Sequence, residues 1–405
     1  MRDIDTERHP RFTRRGLLLG GVAVGGVGAA VSVGAAVSVG ADALAQNLAA
    51  APPLHGAEVV PFHGRHQAGI VTPPQAFARF MALSLLPHTS KDGLQRLLRL
   101  LTDDAARLNS GNPALADTEP ELAHAPARLT VTFGLGPGAL ALAGAANDVA
   151  SADALPPFAV DRLRPEWNGG DLLLQVASDD QVTLAHACRM FIKDARVFAE
   201  VKWQQGGFRR ARGTEAHGTT MRNLFGQVDG TVNLTPGTAD FDRLVWCDSG
   251  PLSGGTTMIV RRISMDLDKW DRLDRSGREQ STGRTLSNGA PLTGVQEHDE
   301  PDFAATDALG WPRIADFAHI RRARTADPAE RIFRRGYNYE DTADGSDAGL
   351  VFVSFQSSPE LQFVPIQRRL AQLDLLNEWT TPIGSAVFVI PPGCLPGGFV
   401  GETLF

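Results

Sequence analysis

Four runs in the first half of the chain carry apolar residues over the length of a β-strand: "ARFMALSLL" (78–86), "RLTVTFGLG" (128–136), "GDLLLQVAS" (170–178) and "RVFAEVKWQ" (196–204). Between the first two, Leu94, Leu97, Leu98, Leu101, Ala105 and Leu108 recur with helical period, and Ser90 stands where an N-cap belongs. Between the second two, "DDQVTLAHACRMFIKDA" also reads as a helix. The order strand–helix–strand, strand–helix–strand predicts a ferredoxin-like unit, an antiparallel sheet with helices on one face.

The second half repeats that rhythm. "TTMIVRRISMDL" (256–267) predicts a strand. "GLVFVSFQ" (349–356), a helix from "SPELQFVPIQRRLAQL" and "SAVFVIPPG" (385–393) copy the strand–helix–strand of 170–204. The expectation is an α+β chain of two related ferredoxin-like domains, 46–215 and 216–405. Residues 109–128 and 143–169 read as loop-like insertions rich in Pro, Ala and Asp. The polar stretch 274–310 is too long for a plain connector, which predicts a functional segment or one packed over the partner domain.

Residues 1–45 stand apart from this pattern. Arg14 and Arg15 precede a Gly/Ala/Val-rich, weakly apolar segment that ends in Ala43-Leu44-Ala45. Cleavage there would make Gln46 the first mature residue. The paired arginines resemble the twin-arginine export signal, which implies a protein exported already folded, to the periplasm or beyond the cell. An uncleaved membrane anchor is the alternative. The segment holds five arginines and four acidic residues, so its removal takes the formal charge from −7 to −8. An acidic chain without a basic block argues against nucleic acid as a partner. Cys188, Cys247 and Cys394 are odd in number and far apart, a poor disulfide framework for an exported protein.

Several stretches offer chemistry. Gly134, Gly136 and Ala139 fit G-x-G-x-x-A after a strand, but no second strand ending in an acid follows, which favours a tight strand-end loop over a dinucleotide site. His55, His63 and His66 cluster without a cysteine or carboxylate at finger-like spacing, which favours hydrogen bonding over a metal. "FGQVDGT" (225–231) sets Asp229 between Gly226 and Gly230; it is either a turn acid or an acid that a freely turning backbone brings to a ligand. "DFAHIRRARTADPAERIFRRGYNY" (316–339) places His319 among apolar neighbours and Arg334 beside Ile332 and Phe333, where a guanidinium needs an anion to offset desolvation. A porphyrin asks for such a set, since its iron takes an imidazole and its propionates take cations.

With these residues assembled, the chain resembles the dye-decolourising peroxidases, specifically the exported bacterial subgroup that includes the deferrochelatase/peroxidase of iron uptake. The resemblance runs from about residue 55 to 405 and rests on "PFHGRHQAGI" (61–70), "GDLLLQVASDD" (170–180), "RNLFGQVDGTVN" (222–233), "VRRISMDLDKWD" (260–271), "AHIRRAR" (318–324) and "RIFRRGYNY" (331–339) in that order. It implies haem b held mainly by the second domain, with His319 as the proximal iron ligand. It further implies Asp229 as the distal acid–base residue and Arg334 as the distal arginine, with Gly230, Thr231 and Val232 along the haem face. The second ring nitrogen of His319 is expected to meet a carboxylate or a carbonyl. Hydrogen peroxide and an organic reductant would be the substrates. Iron release from haem, with iron-uptake partners, and a haem carrier are the alternatives, and a homo-oligomer remains open. "RTADPA" (324–329) departs from the family's usual run, which leaves open which of Arg321, Arg322 and Arg324 meets a propionate. Tyr337 and Tyr339, just after Arg334, read either as an electron route or as core.

Overall fold

The computed structural model describes residues 54–146 and 154–405. Residues 1–45, read above as an export signal, lie outside the described residues, as does part of the 143–169 insertion. The first half contributes β1 (Phe77–Leu85), α1 (Lys91–Asn109), β2 (Thr130–Leu135), α2 (Pro137–Ala143), β3 (Leu172–Ser178), α3 (Gln181–Ala195) and β4 (Ala199–Phe208). Ser90 caps α1 by accepting from the Gly93 amide at 3.2 Å, and Asp180 caps α3 by accepting from Thr183 at 2.7 Å. Each cap satisfies an amide that the first turn leaves without a partner.

Further along lie α4 (Ala239–Val245), β5 (Thr256–Met265), α5 (Leu267–Asp271), α6 (Arg275–Thr282) and α7 (His319–Ala323). They are followed by β6 (Phe333–Arg334), β7 (Tyr337–Glu340), β8 (Ala348–Gln356), α8 (Phe363–Leu373) and β9 (Thr380–Ile390). All the strand pairings are antiparallel. Spatial order in the first half is β4-β1-β3-β2 and in the second β9-β5-β8-β7, the same ferredoxin-like order twice. The two sheets then meet at both edges, through Leu135 opposite Val389 and Phe208 opposite Asn338, so that eight strands close into a ring.

Closure explains the burial. On β3, Leu172, Leu174 and Val176 pack outward beneath α1 and α3, while Leu173 and Ala177 face the interior; on β1, Met81 and Leu83 go out, and Phe80 and Ala82 go in. This is the period-2 alternation of a strand with both faces covered. The interior takes Met258, Val260, Val351, Val353, Phe355 and Phe388 from the second sheet. Tyr337 and Tyr339 are wholly buried in the same core. Arg262 ties the halves: its guanidinium lies over the rings of Trp167 (4.3 Å) and Tyr339 (4.2 Å), bonds Gln205 and pairs with Asp347 at 2.9 Å.

The glycine run after β2 is a packed turn. Gly136 donates to the Asp171 carbonyl at 2.8 Å, and a side chain at Gly138 would collide with the Asp171 carboxylate. The Asp171 carboxylate itself accepts from the Leu85 amide at 2.8 Å, so the turn is packed against β1.

Candidate active site

Asp229 sits on a loop whose geometry depends on glycine. Gly226 has φ +77° and Gly230 φ +132°, and a Cβ built on Gly226 would meet nothing within 4 Å. The Asp229 amide donates to the Met221 carbonyl at 2.8 Å, which folds the loop back on itself. Its carboxylate accepts from Arg334 Nη1 at 2.9 Å, with Asn223 Nδ2 at 3.4 Å from the other oxygen. The anion that Arg334 requires is therefore Asp229. Both stay partly open, with 20% of the Asp229 side chain and 28% of the Arg334 side chain exposed.

Arg334 belongs to β6, which pairs with β8 on one side only. On the other side the Asn233 side chain does the work of a strand: its Oδ1 accepts from the Arg334 amide at 2.7 Å and its Nδ2 donates to the Arg334 carbonyl at 2.8 Å. This two-point contact fixes the loop that carries Asp229 in register with the arginine. Between them, Thr231 donates to Glu297 at 2.9 Å, and Val232 is half exposed.

His319 opens α7. Its Nδ1 donates to Asp374 Oδ2 at 2.6 Å, and that carboxyl is almost wholly buried. Asp374 is held in turn at the junction between the end of α8 and the turn Leu375–Glu378, where its other oxygen accepts from the Leu376 amide at 3.0 Å. A further bond, Leu375 N–H to the Phe317 carbonyl at 3.0 Å, pins the two segments together. Burial lowers the His319 pKa, but the charge of Asp374 and its hydrogen bond outweigh this, so the net position is above the ordinary histidine value. The charges of Arg334 and Asp229 also reach His319, the first lowering its pKa and the second raising it. The structure thus pairs Asp229 with Arg334 and, separately, His319 with Asp374.

The remaining candidates separate. Arg321 donates to the Phe303 and Ile314 carbonyls, both at 2.9 Å, and Arg322 to the Arg369 carbonyl. Arg324 pairs with Glu300, a largely exposed carboxylate. His55 lies 3.4 Å from Glu58, His63 lies 3.7 Å from Cys394, and His66 stacks on Trp246 with Nδ1 on the Gly254 carbonyl at 2.6 Å. Three histidines close in sequence therefore serve three different contacts. Asn223, Asn233, Asp374 and Glu297 enter the site without having been singled out in the sequence. Only Asn223 and Asn233, inside the "RNLFGQVDGTVN" motif, carried a signal that could have found them.

Residues 67–209 match the family profile "Dyp-type peroxidase, N-terminal" and residues 220–395 the profile "Dyp-type peroxidase, C-terminal". The chain is 37% identical to a dye-decolorizing peroxidase of Thermobifida fusca, over 100% of this chain and 99% of that protein. It is 34% identical to a deferrochelatase of Escherichia coli K12, over 83% of this chain and 84% of that one. Among solved structures, a DyP-type peroxidase from Cellulomonas bogoriensis superposes with a TM-score of 0.84 at 52% identity, covering 87% of this chain and 99% of that one. With both halves matched and these relatives aligned over most of their length, the chain belongs to the Dyp-type peroxidases.

Proposed function

We propose that this protein is a haem peroxidase that reduces hydrogen peroxide and oxidises dyes or other organic reductants, with Asp229 as the acid–base group and Arg334 as the charge stabiliser. The observation that carries this reading is the 2.9 Å Asp229–Arg334 pair, partly open and within electrostatic reach of His319.

The residues suit the cofactor. His319 Nε2 has no hydrogen-bond partner among the described residues, while Nδ1 is held by a buried carboxylate. That fixes the tautomer whose free nitrogen can bind iron and raises its basicity. Open space beside Gly226, and Gly230, Thr231 and half-exposed Val232 along the same loop, suit the close approach of a flat ring. His319 Nε2 would hold the haem iron, and the haem would supply the electrons for cleaving the peroxide O–O bond. Arg324, whose partner Glu300 faces solvent, is the arginine of its segment best placed to turn to a propionate.

The chain's own part is proton movement and charge. The Asp229 carboxylate takes the proton from one peroxide oxygen and returns it to the other, which leaves as water. Arg334 Nη1 lends positive charge to the oxygen that becomes negative as the bond breaks. Asn233 keeps the two groups in register through that step. Iron release from haem is a second reading, favoured by the deferrochelatase relative. Export by the twin-arginine route to the periplasm or outside the cell completes the proposal, on the strength of Arg14, Arg15 and Ala43-Leu44-Ala45.

Stopped-flow mixing of the haem-loaded protein with peroxide tests the division of labour. Asp229→Asn is expected to slow the reaction by about 10²–10⁴-fold, the scale of positioned acid–base catalysis. Arg334→Leu should slow it by about 10²–10³-fold, the scale of losing an oxyanion donor. An Asp229→Asn variant as fast as the parent would make the aspartate a turn residue. Fluorescence of iron-free porphyrin during turnover would favour the second reading.

A further inference from the structure

The polar stretch after α6 folds back over the loop that carries Asp229. Thr285 N–H donates to the Ala290 carbonyl at 2.8 Å and Leu292 N–H to Gly283 at 3.0 Å, forming a hook. At its tip Gly289, with φ +75°, lies so close to Val228 that a Cβ there would stand 2.8 Å from the valine Cβ. Arg222 donates to the Leu286 and Ser287 carbonyls of the hook, both at 2.8 Å, and to Gly226 of its own loop at 2.7 Å. Gln227 reaches Thr282 at 2.6 Å. One side of the loop is thereby gripped before Asp229.

The other grip is a single oxygen. Glu297 Oε1 accepts from the Thr220 hydroxyl at 2.6 Å and from the Thr231 hydroxyl at 2.9 Å. Thr220 begins the loop and Thr231 follows Asp229 by two residues, so one carboxylate staples the two arms between which Asp229 and Gly230 lie. Glu297 is itself held from behind, since Arg284 Nη1 donates to its carbonyl at 2.8 Å and to Gly289 at 2.6 Å. Hydrogen bonds to a carboxylate are shorter and stronger than those between neutral groups. Gly230 offers no side chain of its own to hold the bend, so the Glu297 staple adds to the loop's own backbone bonds, Asp229 N–H to Met221 at 2.8 Å and Asn233 N–H to Gly230 at 3.0 Å.

We infer that Glu297 is a positioning residue for the peroxide reaction: by joining Thr220 to Thr231 it holds Asp229 against Arg334. It acts through the loop and touches none of the reacting atoms. The inference rests on the acid–base role proposed for Asp229, and hydrogen exchange keeps the two separable, because it reads the staple whatever Asp229 does.

Two measurements on the full chain test it. In the haem-loaded protein, Glu297→Ala is expected to slow the reaction with peroxide by about 10–100-fold, the scale of misplacing a catalytic group by ~1 Å. Glu297→Gln, which keeps an oxygen acceptor for both hydroxyls, should restore most of that rate. In the haem-free protein, amide exchange across 226–233 should quicken in Glu297→Ala and stay near the parent in Glu297→Gln. The Thr220→Val/Thr231→Val double variant, which leaves Glu297 in place, should reproduce the alanine phenotype and serves if Glu297→Ala does not fold. Parent-like exchange and rate in the alanine or double variant would overturn the inference, as would a glutamine variant as impaired as the alanine. Quickened exchange together with a fully active Asp229→Asn would sustain the staple and remove the catalytic role of Asp229 instead.

Discussion

Replacing Asp374 by asparagine should weaken haem binding without touching the haem. In the parent, Oδ1 takes the Leu376 amide at 3.0 Å and Oδ2 takes the His319 Nδ1 proton at 2.6 Å. In the variant the amide oxygen keeps Leu376, so the new NH2 group faces Nδ1. Two donors cannot share that contact, and the imidazole must move its proton to Nε2, the nitrogen that iron requires free. The bond lost is charge-assisted and buried at the carboxylate, worth about 1.5–3 kcal/mol. At ~1.4 kcal/mol per tenfold that is about 10–150-fold in affinity. Loss of an outer partner of a metal-binding histidine costs about 10–100-fold on general grounds, in agreement. Titrating the haem-free variant with haem and following the Soret band gives Kd directly, and the melting temperature of the haem-free protein checks that the fold survives. A folded variant with the parent's Kd and Soret position would refute the argument, since the Asp374 contact would then not set the tautomer.

Two further outcomes follow from other parts of the molecule. Asp194 on α3 is pushed up to about 7 by burial first and then by its hydrogen bond to Asp104 on α1 and that group's charge. A carboxyl raised in the folded state stabilises fully below its unfolded value and loses that contribution as pH rises through the folded one, here from about 4 to above 7. Asp194→Asn, which stays neutral, should therefore raise the melting temperature at pH 8 by about 2 °C, the scale of ~1 kcal/mol in a chain of this length, with a smaller gain at pH 5; equal gains at both would refute the pairing. Replacing Arg14 and Arg15 with lysine should leave the haem-loaded precursor in the cytoplasm, and secretion equal to the parent's, measured by fractionation, would refute the export signal.

How much of this was legible in the chain depends on range. The helix over 91–109 was readable because Leu94, Leu97, Leu98, Leu101, Ala105 and Leu108 share one face, and Ser90 caps it as expected. The strands were readable from their apolar runs, with ends shifted by a few residues: β4 starts at Ala199, after a turn, and extends to Phe208. Ring closure was not, because Leu135–Val389 and Phe208–Asn338 are pairings between edges, and no local pattern reports an edge's partner. Asp229, Arg334 and His319 stood out through their motifs. Asp374 lies 55 residues from His319, in a stretch that reads as an ordinary helix end. Glu297 sits among Asp299, Glu300 and Asp302, and only the fold tells it from these neighbouring acids.

The closed ring bears on how such a protein stays out of trouble. An edge strand is a row of unspent donors and acceptors, open to any other chain that can extend alongside it. Here β2 and β9 meet at one pair, as do β4 and β7, and the short free side of β6 is taken by the Asn233 amide. Gln67 does the same on β2, accepting from the Phe133 amide at 2.7 Å and donating to its carbonyl at 3.1 Å, while the Asn233 rung is the one from which the Arg334 side chain extends. Grafting one half of this protein onto the other half of a relative would have to match two seams and that rung together, so the halves are expected to evolve as a fitted pair and to resist shuffling.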